Sequence, residues 1–187
     1  MFVDVGANVG NYSVLASRQV GATGLVAGFE PVAGTYARLL EHLAINGAAN
    51  VIPFNAAVAA EEGMAEMAFS ADSGLSHLGH PGPTGAQQSQ RCAVLTLDRV
   101  LPALLGEREI DLMKIDVEGA ELLALRGAGQ LLRTRRIKRL FIEIFPENLA
   151  RFGATREELW SYLEAVGYRP RHRRTDNTGY DEIFDRV

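Results

Sequence analysis

Residues 2–10 read FVDVGANVG, a short apolar run that passes through a glycine turn into a helical pattern. Gly6 allows the backbone to turn sharply and a ligand to approach it, and Gly10 allows the helix to pack closely on the strand. The first N–H groups of the helix have no partner within the helix and add hydrogen-bond donors. The stretch therefore predicts a nucleotide-type ligand at the first strand–helix turn of an α/β sheet.

The spacing of the glycines in this turn limits the class of ligand that can bind there. A dinucleotide-binding turn follows the pattern GxGxxG, whereas Asn8 stands at the second glycine position, and the P-loop pattern GxxxxGK[ST] is absent here. We therefore expect an adenosine ligand without a phosphate chain, such as S-adenosylmethionine. Asp4 is expected to receive the amino group of that ligand through water.

A second signal follows at Phe29-Glu30-Pro31, where the next apolar run ends at a proline. An acidic residue after the second strand of a nucleotide-binding unit accepts hydrogen bonds from the ribose hydroxyls. The alternative is that Glu30 is a solvated acid at the start of a helix. The order of the two signals along the chain favours the ribose role.

The rest of the chain alternates between strand and helix patterns, which predicts a doubly wound α/β fold with a mostly parallel sheet. We expect residues 1–187 to form a single domain. The expected strands are 1–5, 25–29, 51–55, 91–95, 111–117, 137–145, 169–173 and 182–187, and the expected helices are 10–20, 33–46, 97–105, 118–132 and 155–166. The first helix is expected to turn Val14 and Leu15 inward, and the helix over 118–132 is expected to be interrupted near Gly127 and Gly129. Residues 57–69 are expected to form a strand or a hairpin that turns at Glu62-Gly63, and residues 70–90 a long loop.

Composition limits the partners and the compartment. The 187 residues carry a formal net charge of −4, which argues against a nucleic-acid partner because a phosphate backbone usually requires a basic surface. Cys92 is the only cysteine, so no disulfide forms within the chain, and a reducing, cytoplasmic compartment fits. No apolar run reaches the length of a membrane span, and no signal peptide is evident. The chain starts inside a strand, from which we expect a truncated or unusually short protein without an N-terminal cap. The oligomeric state is not indicated.

The chain resembles the FkbM-type methyltransferases, and the similarity extends in order over nearly its whole length. The most specific segment is Lys114-Ile115-Asp116-Val117-Glu118-Gly119-Ala120-Glu121. The other matching segments are residues 2–10, 29–31, 55–58, 96–98, 125–128 and 142–144. The resemblance implies a class I, Rossmann-like methyltransferase fold with an antiparallel last strand. It also implies S-adenosylmethionine as the cofactor and O-methylation of a hydroxyl on a small molecule, sugar, glycolipid or polyketide.

The cofactor site combines the residues inferred from the two motifs with those that the resemblance adds. The resemblance suggests that Asn55, Ala56 and Ala57 lie near the adenine. The complete expected cofactor set is Asp4, Gly6, Ala7, Asn8, Gly10, Asn11, Glu30, Pro31, Asn55, Ala56, Ala57, Asp116 and Val117.

The catalytic candidates follow from the chemistry. Methyl transfer needs an oriented nucleophilic oxygen, and an alcohol must also lose its proton to a base. Asp116 and Glu118 are the candidate bases. Asp116 alternatively orients the methionine part of the cofactor, and Glu118 alternatively serves the start of the next helix.

Two further residues complete the catalytic candidates. Lys114 shares a strand face with Asp116, and we expect Glu143 on the neighbouring strand to pair with it. His77, with His80 in the same expected loop, is a candidate base if that loop covers the acceptor; the alternative is a solvated histidine. We assign no metal.

Two other functions stay open at this point. A nicotinamide-dependent dehydrogenase would carry GxGxxG, and the short-chain type would also carry Tyr-x-x-x-Lys; neither pattern occurs. A non-catalytic S-adenosylmethionine-binding domain would show the same motifs as the enzyme, and only turnover distinguishes the two.

Overall fold

Two β-sheets organise the chain in the computed structural model, which describes residues 1–21, 23–69, 76–78, 88–174 and 178–187. The strands of these residues are β1 (Phe2–Val5), β2 (Val26–Phe29), β3 (Val51–Phe54), β4 (Ala56–Val58), β5 (Gly63–Phe69), β6 (Ser76–Leu78), β7 (Gln88–Leu95), β8 (Leu112–Ile115), β9 (Arg139–Ile144), β10 (Tyr168–Pro170) and β11 (Tyr180–Arg186). The helices are α1 (Asn11–Gln19), α2 (Ala33–Ile45), α3 (Leu97–Leu105), α4 (Glu121–Arg126), α5 (Gly129–Arg133), α6 (Pro146–Arg151) and α7 (Arg156–Ala165).

The main sheet has the strand order β10-β11-β9-β8-β1-β2-β3. Strands β3, β2, β1, β8 and β9 are parallel, and β11 runs antiparallel to both of its neighbours. This confirms the predicted fold with its antiparallel last strand. The five parallel strands end at one edge of the sheet, which we call the carboxyl edge. The strand order reverses between β1 and β8, and ligands of open α/β sheets bind at such a point of the carboxyl edge.

Helix α1 packs close to the sheet through small side chains. Ser13 and Ala16 are its buried residues, and a Cβ atom added to Gly28 of β2 would lie 3.1 Å from the Ser13 hydroxyl oxygen. Such a narrow gap leaves no room for a leucine. The expectation that Leu15 faces inward is therefore wrong, since 55% of this residue is exposed.

The second sheet differs from the hairpin expected over residues 57–69. Its strand order is β4-β7-β5-β6, so β7 lies between β4 and β5 and pairs with both. Residues 57–69 therefore do not form a hairpin. Strand β7 starts at Gln88, and β6 covers residues 76–78, so part of the expected loop is strand. These pairings join segments that are distant in sequence, so a local sequence pattern does not reveal them.

The predicted helix over residues 118–132 is interrupted near Gly127, as expected, but it begins later than residue 118. It starts at Glu121 and divides into α4 and α5 around Gly127. A Cβ atom on Gly127 would lie 2.2 Å from the Ala59 carbonyl oxygen, so close contact with the chain after β4 breaks the helix there. Helix α6 was not predicted, although Pro146 stands at its first turn, where proline is favourable.

No helix of the described ranges has the length and apolar character needed to cross a membrane.

Asp98 of α3 holds the start of α5. Its two carboxylate oxygens accept hydrogen bonds from the backbone N–H groups of Gln130 at 2.7 Å and Leu131 at 2.9 Å. These donors have no partner within a helix, so the carboxylate acts as a cap supplied by another helix.

We expect Asp98→Ala to lower the free energy of unfolding by about 1–2 kcal/mol, because both N–H groups lose their acceptor. Asp98→Asn keeps one acceptor oxygen and should lose less. Chemical denaturation measures both values, and equal stability of Asp98→Ala and the wild type would contradict the cap.

Candidate active site

The turn after β1 is pressed against the end of β8. Gly6 has a φ of 83°, and a Cβ atom built on it would lie 1.8 Å from the carbonyl oxygen of Asp116. The backbone N–H groups of Gly6 and Ala7 both donate to the Phe29 carbonyl, at 3.0 and 2.8 Å. A side chain at residue 6 cannot fit between these groups. The predicted sharp glycine turn therefore lies where the ends of β1, β2 and β8 meet.

The rest of the turn also uses left-handed backbone. Asn8 has a φ of 51°, a conformation that asparagine adopts more readily than most residues. Gly10 has a φ of 89°, and an added Cβ atom would lie 2.3 Å from a methyl carbon of Leu39. Gly10 therefore gives room to α2, rather than to the strand as predicted. Asn11 follows as the exposed first residue of α1.

Asp4 is fully buried in β1. Its Oδ2 atom accepts a hydrogen bond from the Ser13 hydroxyl at 2.7 Å, and its Oδ1 atom lies 4.0 Å from Lys114 Nζ. Among the described residues, no donor is within hydrogen-bond reach of Oδ1. Burial raises the pKa of Asp4 to about 6. The site therefore contains a buried carboxylate oxygen that can still accept a hydrogen bond.

Glu30 is buried at the end of β2 and joins two elements of the site. One oxygen accepts the backbone N–H of Asn8 at 3.0 Å, and the other accepts that of Val32 at 2.9 Å. Burial raises the pKa of Glu30 to about 7. Because a carboxylate has about four acceptor positions, two stay available for hydroxyl donors such as those of a ribose.

Two amide side chains support the chain around Pro31. Asn55 donates to the carbonyls of Glu30 at 2.8 Å and Pro31 at 3.1 Å. Gln90 of β7 donates to the Pro31 carbonyl at 2.9 Å and accepts the Ala33 N–H at 3.2 Å. Sequence reasoning missed Gln90, which lies in a polar stretch without periodicity. The neighbouring Ala56 and Ala57 are buried in β4, and their place beside an adenine stays a prediction.

The end of β8 carries an ion pair different from the expected one. Lys114 Nζ lies 2.8 Å from Asp116 Oδ2 and 4.9 Å from the centre of the Tyr12 ring. The expected pairing of Lys114 with Glu143 is therefore wrong. Lys114 and Asp116 are two residues apart and share a strand face, so the lysine reaches its own strand's acid more readily than the neighbouring strand's.

Glu121 stabilises the turn that follows β8. Its Oε1 atom accepts the backbone N–H groups of Val117 at 3.2 Å and Gly119 at 3.0 Å. Burial raises the pKa of Glu121 to about 6. Glu118 has a φ of 55° and accepts a hydrogen bond from the Asn148 side chain at 2.9 Å. Glu121, rather than Glu118, therefore serves this turn through its carboxylate.

Three carboxyl groups meet at the carboxyl edge beyond this turn. One oxygen each from Asp116, Glu118 and Glu143 lies within 4.8 Å of the others, and all three residues are partly buried. Burial, followed by the charge of Asp116 and a hydrogen bond with it, raises the pKa of Glu143 to about 8. Lys114 already supplies a positive charge to Asp116, and we assign no metal to these acids.

The side chains of the two histidine candidates are outside the described part of the structure. The backbone of His77 belongs to β6, whereas the whole of His80 lies outside the described residues. Both remain predictions.

Solved structures that are similar to this chain include methyltransferases. A methyltransferase FkbM from Methylobacillus flagellatus KT has a TM-score of 0.62 and 18% identity over 98% of this chain, which spans 42% of that protein's length. A putative methyltransferase from Streptococcus mutans, in complex with SAH, has a TM-score of 0.56 and 10% identity over 100% of this chain and 88% of its own. A putative rRNA methylase from Clostridium thermocellum has a TM-score of 0.57 and 8% identity, with 100% and 88% coverage. None of the curated proteins compared is similar to the chain.

Sheet order, the glycine turn and the acid after β2 together define a methyltransferase of the class that uses S-adenosylmethionine. The family model of the methyltransferase FkbM domain matches residues 4–170, and the chain belongs to this family. The predicted resemblance is thereby confirmed.

The described side chains fit this cofactor. Among the described residues, no donor reaches the buried Asp4 Oδ1 atom, which can therefore accept a hydrogen bond from a ligand. Glu30 keeps acceptor capacity for hydroxyl groups. When bound, S-adenosylmethionine supplies an electrophilic methyl group.

We expect Gly6→Ala to destabilise the protein by about 3 kcal/mol or more, because the new methyl group overlaps the Asp116 carbonyl and the turn needs a positive φ. Gly34→Ala is the matched control, since nothing lies within 4 Å of the added Cβ atom in α2. This control should change stability by no more than about 1 kcal/mol, in the stabilising direction. Thermal denaturation compares the two, and similar melting temperatures would contradict the close contact.

We expect the free protein to lose stability as the pH rises from about 5 to about 8. Asp4, Glu30, Glu121 and Glu143 have raised pKa values in the folded state, so in this window the folded chain binds more protons than the unfolded chain. Each pKa unit of difference contributes at most about 1.4 kcal/mol. Melting temperature against pH measures the slope. Glu30→Gln should flatten it below about pH 7, whereas Glu147→Gln, an exposed acid of α6, should keep it; a rise in stability over this range would refute the assignment.

Proposed function

We propose that this chain is an O-methyltransferase that transfers the methyl group of S-adenosylmethionine to a hydroxyl of a small molecule, sugar, glycolipid or polyketide. The observation that carries the proposal is the order of groups along the carboxyl edge. Glu30 ends β2, the Gly6 turn ends β1, Asp116 follows β8 and Glu143 lies on β9. A nucleoside acceptor, a backbone cradle and a group of acids therefore follow one another across four adjacent strands.

The nucleoside end of the cofactor is proposed to lie between β1 and β2. Glu30 already accepts two backbone N–H groups and offers its remaining lone pairs to the ribose hydroxyls. The turn of Gly6, Ala7 and Asn8 lies beside it, and Pro31, Asn55, Ala56 and Ala57 border it on the side of the second sheet. The ammonium group of the methionine part is proposed to approach Asp4 and Asp116, with Val117 nearby.

The acceptor end is proposed to lie over β8 and β9. Alcohols need a base before or during methyl transfer, and carboxylates can serve as such bases. Asp116 and Glu118 are our candidates, and Lys114 Nζ lies 2.8 Å from Asp116 Oδ2. His77 stays a candidate only through its position in the chain.

A small acceptor agrees with the charge of the surface better than a nucleic acid does. The net charge of −4 and the acids at the carboxyl edge would repel a phosphate backbone. We propose that residues 1–187 act as a single methyltransferase domain, and that the protein works in the cytoplasm, where its one buried cysteine stays reduced.

Titration calorimetry with S-adenosylhomocysteine tests the cofactor site. Glu30→Gln should weaken binding about 10–100-fold, because hydrogen bonds to a charged group contribute about 1.5–3 kcal/mol. The matched control Glu147→Gln, an exposed acid of α6, should bind as the wild type does. Absence of binding by the folded wild type, or equal binding by Glu30→Gln, would contradict the proposed site.

Methyl transfer to a panel of hydroxylated sugars, lipids and polyketides, with an RNA sample included, tests the acceptor class. Methylation of a hydroxyl compound supports the proposal. Methylation of RNA alone would overturn the acceptor assignment. Binding without turnover on any acceptor would favour a non-catalytic binding domain.

A further inference from the structure

Glu143 and Asp116 form a pair of carboxyl groups on neighbouring strands. Strands β8 and β9 are parallel with Ile115 opposite Ile142, so Asp116 and Glu143 each stand one residue further on. One carboxyl oxygen of Asp116, one of Glu143 and one of Glu118 all lie within 4.8 Å of one another. Two carboxylates at this distance disfavour each other's charged form, and a hydrogen bond between them requires one proton. The geometry thus brings two acids close enough for the charge of one to disfavour the charge of the other.

The surrounding charges decide which acid holds the proton. Lys114 lies against Asp116 and stabilises its negative charge, at 2.8 Å. Glu143 faces further acids instead, Glu118 after β8 and Asp181, its register partner on β11. The other charged groups near the pair are Asp4 and Glu30 on the side of β1 and β2, and Arg151 of α6 beside Glu118. These contacts leave the proton on Glu143 and agree with its pKa of about 8.

The pair lies at the carboxyl ends of β8 and β9, where the acceptor is proposed to bind. The backbone of Asp116 touches the Gly6 turn, where the cofactor is proposed to bind. Glu143 lies on the next strand beyond β8, about 5 Å further along the carboxyl edge by ordinary strand spacing. A sulfonium held at the turn would therefore bring a fixed positive charge next to this pair. The pair holds one proton in the free protein, so only one of its two carboxyl groups is charged.

We propose that binding of the sulfonium cofactor expels the shared proton of Glu143 and Asp116, and that the resulting Glu143 carboxylate takes the proton of the acceptor hydroxyl. This inference rests on the proposed function and assigns the base of the same site to Glu143 instead of Asp116 or Glu118. A nearby cation favours the charged form of an acid, so the cofactor itself prepares the base. In the free protein, Glu143 stays neutral and does not attract cations to an empty acceptor site.

The transfer step balances without another reactant. A bond forms between the acceptor oxygen and the methyl carbon while the bond from that carbon to sulfur breaks, and its electron pair stays on sulfur. The positive charge of the sulfonium is thereby lost. The hydroxyl proton passes to Glu143, so the pair again holds one proton when the thioether product leaves.

Proton release on ligand binding tests the inference without any acceptor. S-adenosylmethionine and S-adenosylhomocysteine share the ribose and the amino group, so Asp4 and Glu30 respond equally to both, and only the sulfonium differs. Calorimetric titrations at about pH 6.5 keep the α-amino groups of both ligands protonated. The dependence of the heat on the ionisation enthalpy of the buffer, in phosphate and in imidazole, gives the number of protons released.

We expect S-adenosylmethionine to release a large fraction of one proton more than S-adenosylhomocysteine does. In Glu143→Gln this difference should disappear while both ligands still bind, because the neutral amide keeps the shape of the side chain. The matched control Glu147→Gln should keep the wild-type difference. If Glu143→Gln does not fold, the comparison of the two ligands on the wild type still decides whether the sulfonium releases an additional proton.

Equal proton release by the two ligands on the wild type would overturn the inference and leave the proposed function intact. A difference that persists in folded Glu143→Gln would assign the proton to another group and also overturn it. A folded wild type that binds neither ligand would refute the proposed function, and the inference with it.

Discussion

The contact between Gly6 and the carbonyl oxygen of Asp116 joins the two strands on which the site depends. Strands β1 and β8 are neighbours in the sheet, but about 110 residues separate them along the chain. Only a residue without a Cβ atom and with a positive φ allows the turn after β1 to reach the end of β8. The same turn donates to the Phe29 carbonyl at the end of β2. One residue therefore sets the relative positions of the ends of β1, β2 and β8 and of the acids that they carry.

The second constraint is an excess of buried acid at the carboxyl edge. Asp4, Glu30, Glu121 and Glu143 all have pKa values raised by burial, and Lys114 is the cation that contacts Asp116 among the described residues. Such an arrangement destabilises the free protein at neutral and higher pH, whereas cationic or hydroxyl-bearing ligands relieve it. Binding energy and stability are in this way linked through the same carboxyl groups.

The sequence predicted the parts of the fold that depend on local patterns. Phe2–Val5, Val26–Phe29 and Leu97–Leu105 appear nearly as expected, because apolar periodicity and glycine or proline boundaries mark them. The turn at Gly6 and the acid at Glu30 were also found from spacing alone. Leu15 was misplaced because the closeness of α1 to Gly28 is a tertiary property.

The errors share one cause, which is contact between segments distant in sequence. The pairing of β7 between β4 and β5 leaves no signature in residues 57–69. Lys114 was given the wrong partner because strand neighbours can be predicted, but the path of a long side chain cannot. Gln90 could not be found at all, since its role exists only after the second sheet has reached Pro31.

The position of Gln90 has a consequence for the small sheet. Strands β4 to β7 form a sheet of their own, yet an amide from β7 is bonded to the backbone next to Glu30. The small sheet is thus not a self-contained module. A chimaera that took this segment from a relative would also replace the amide that supports the chain around Glu30, the proposed ribose acceptor.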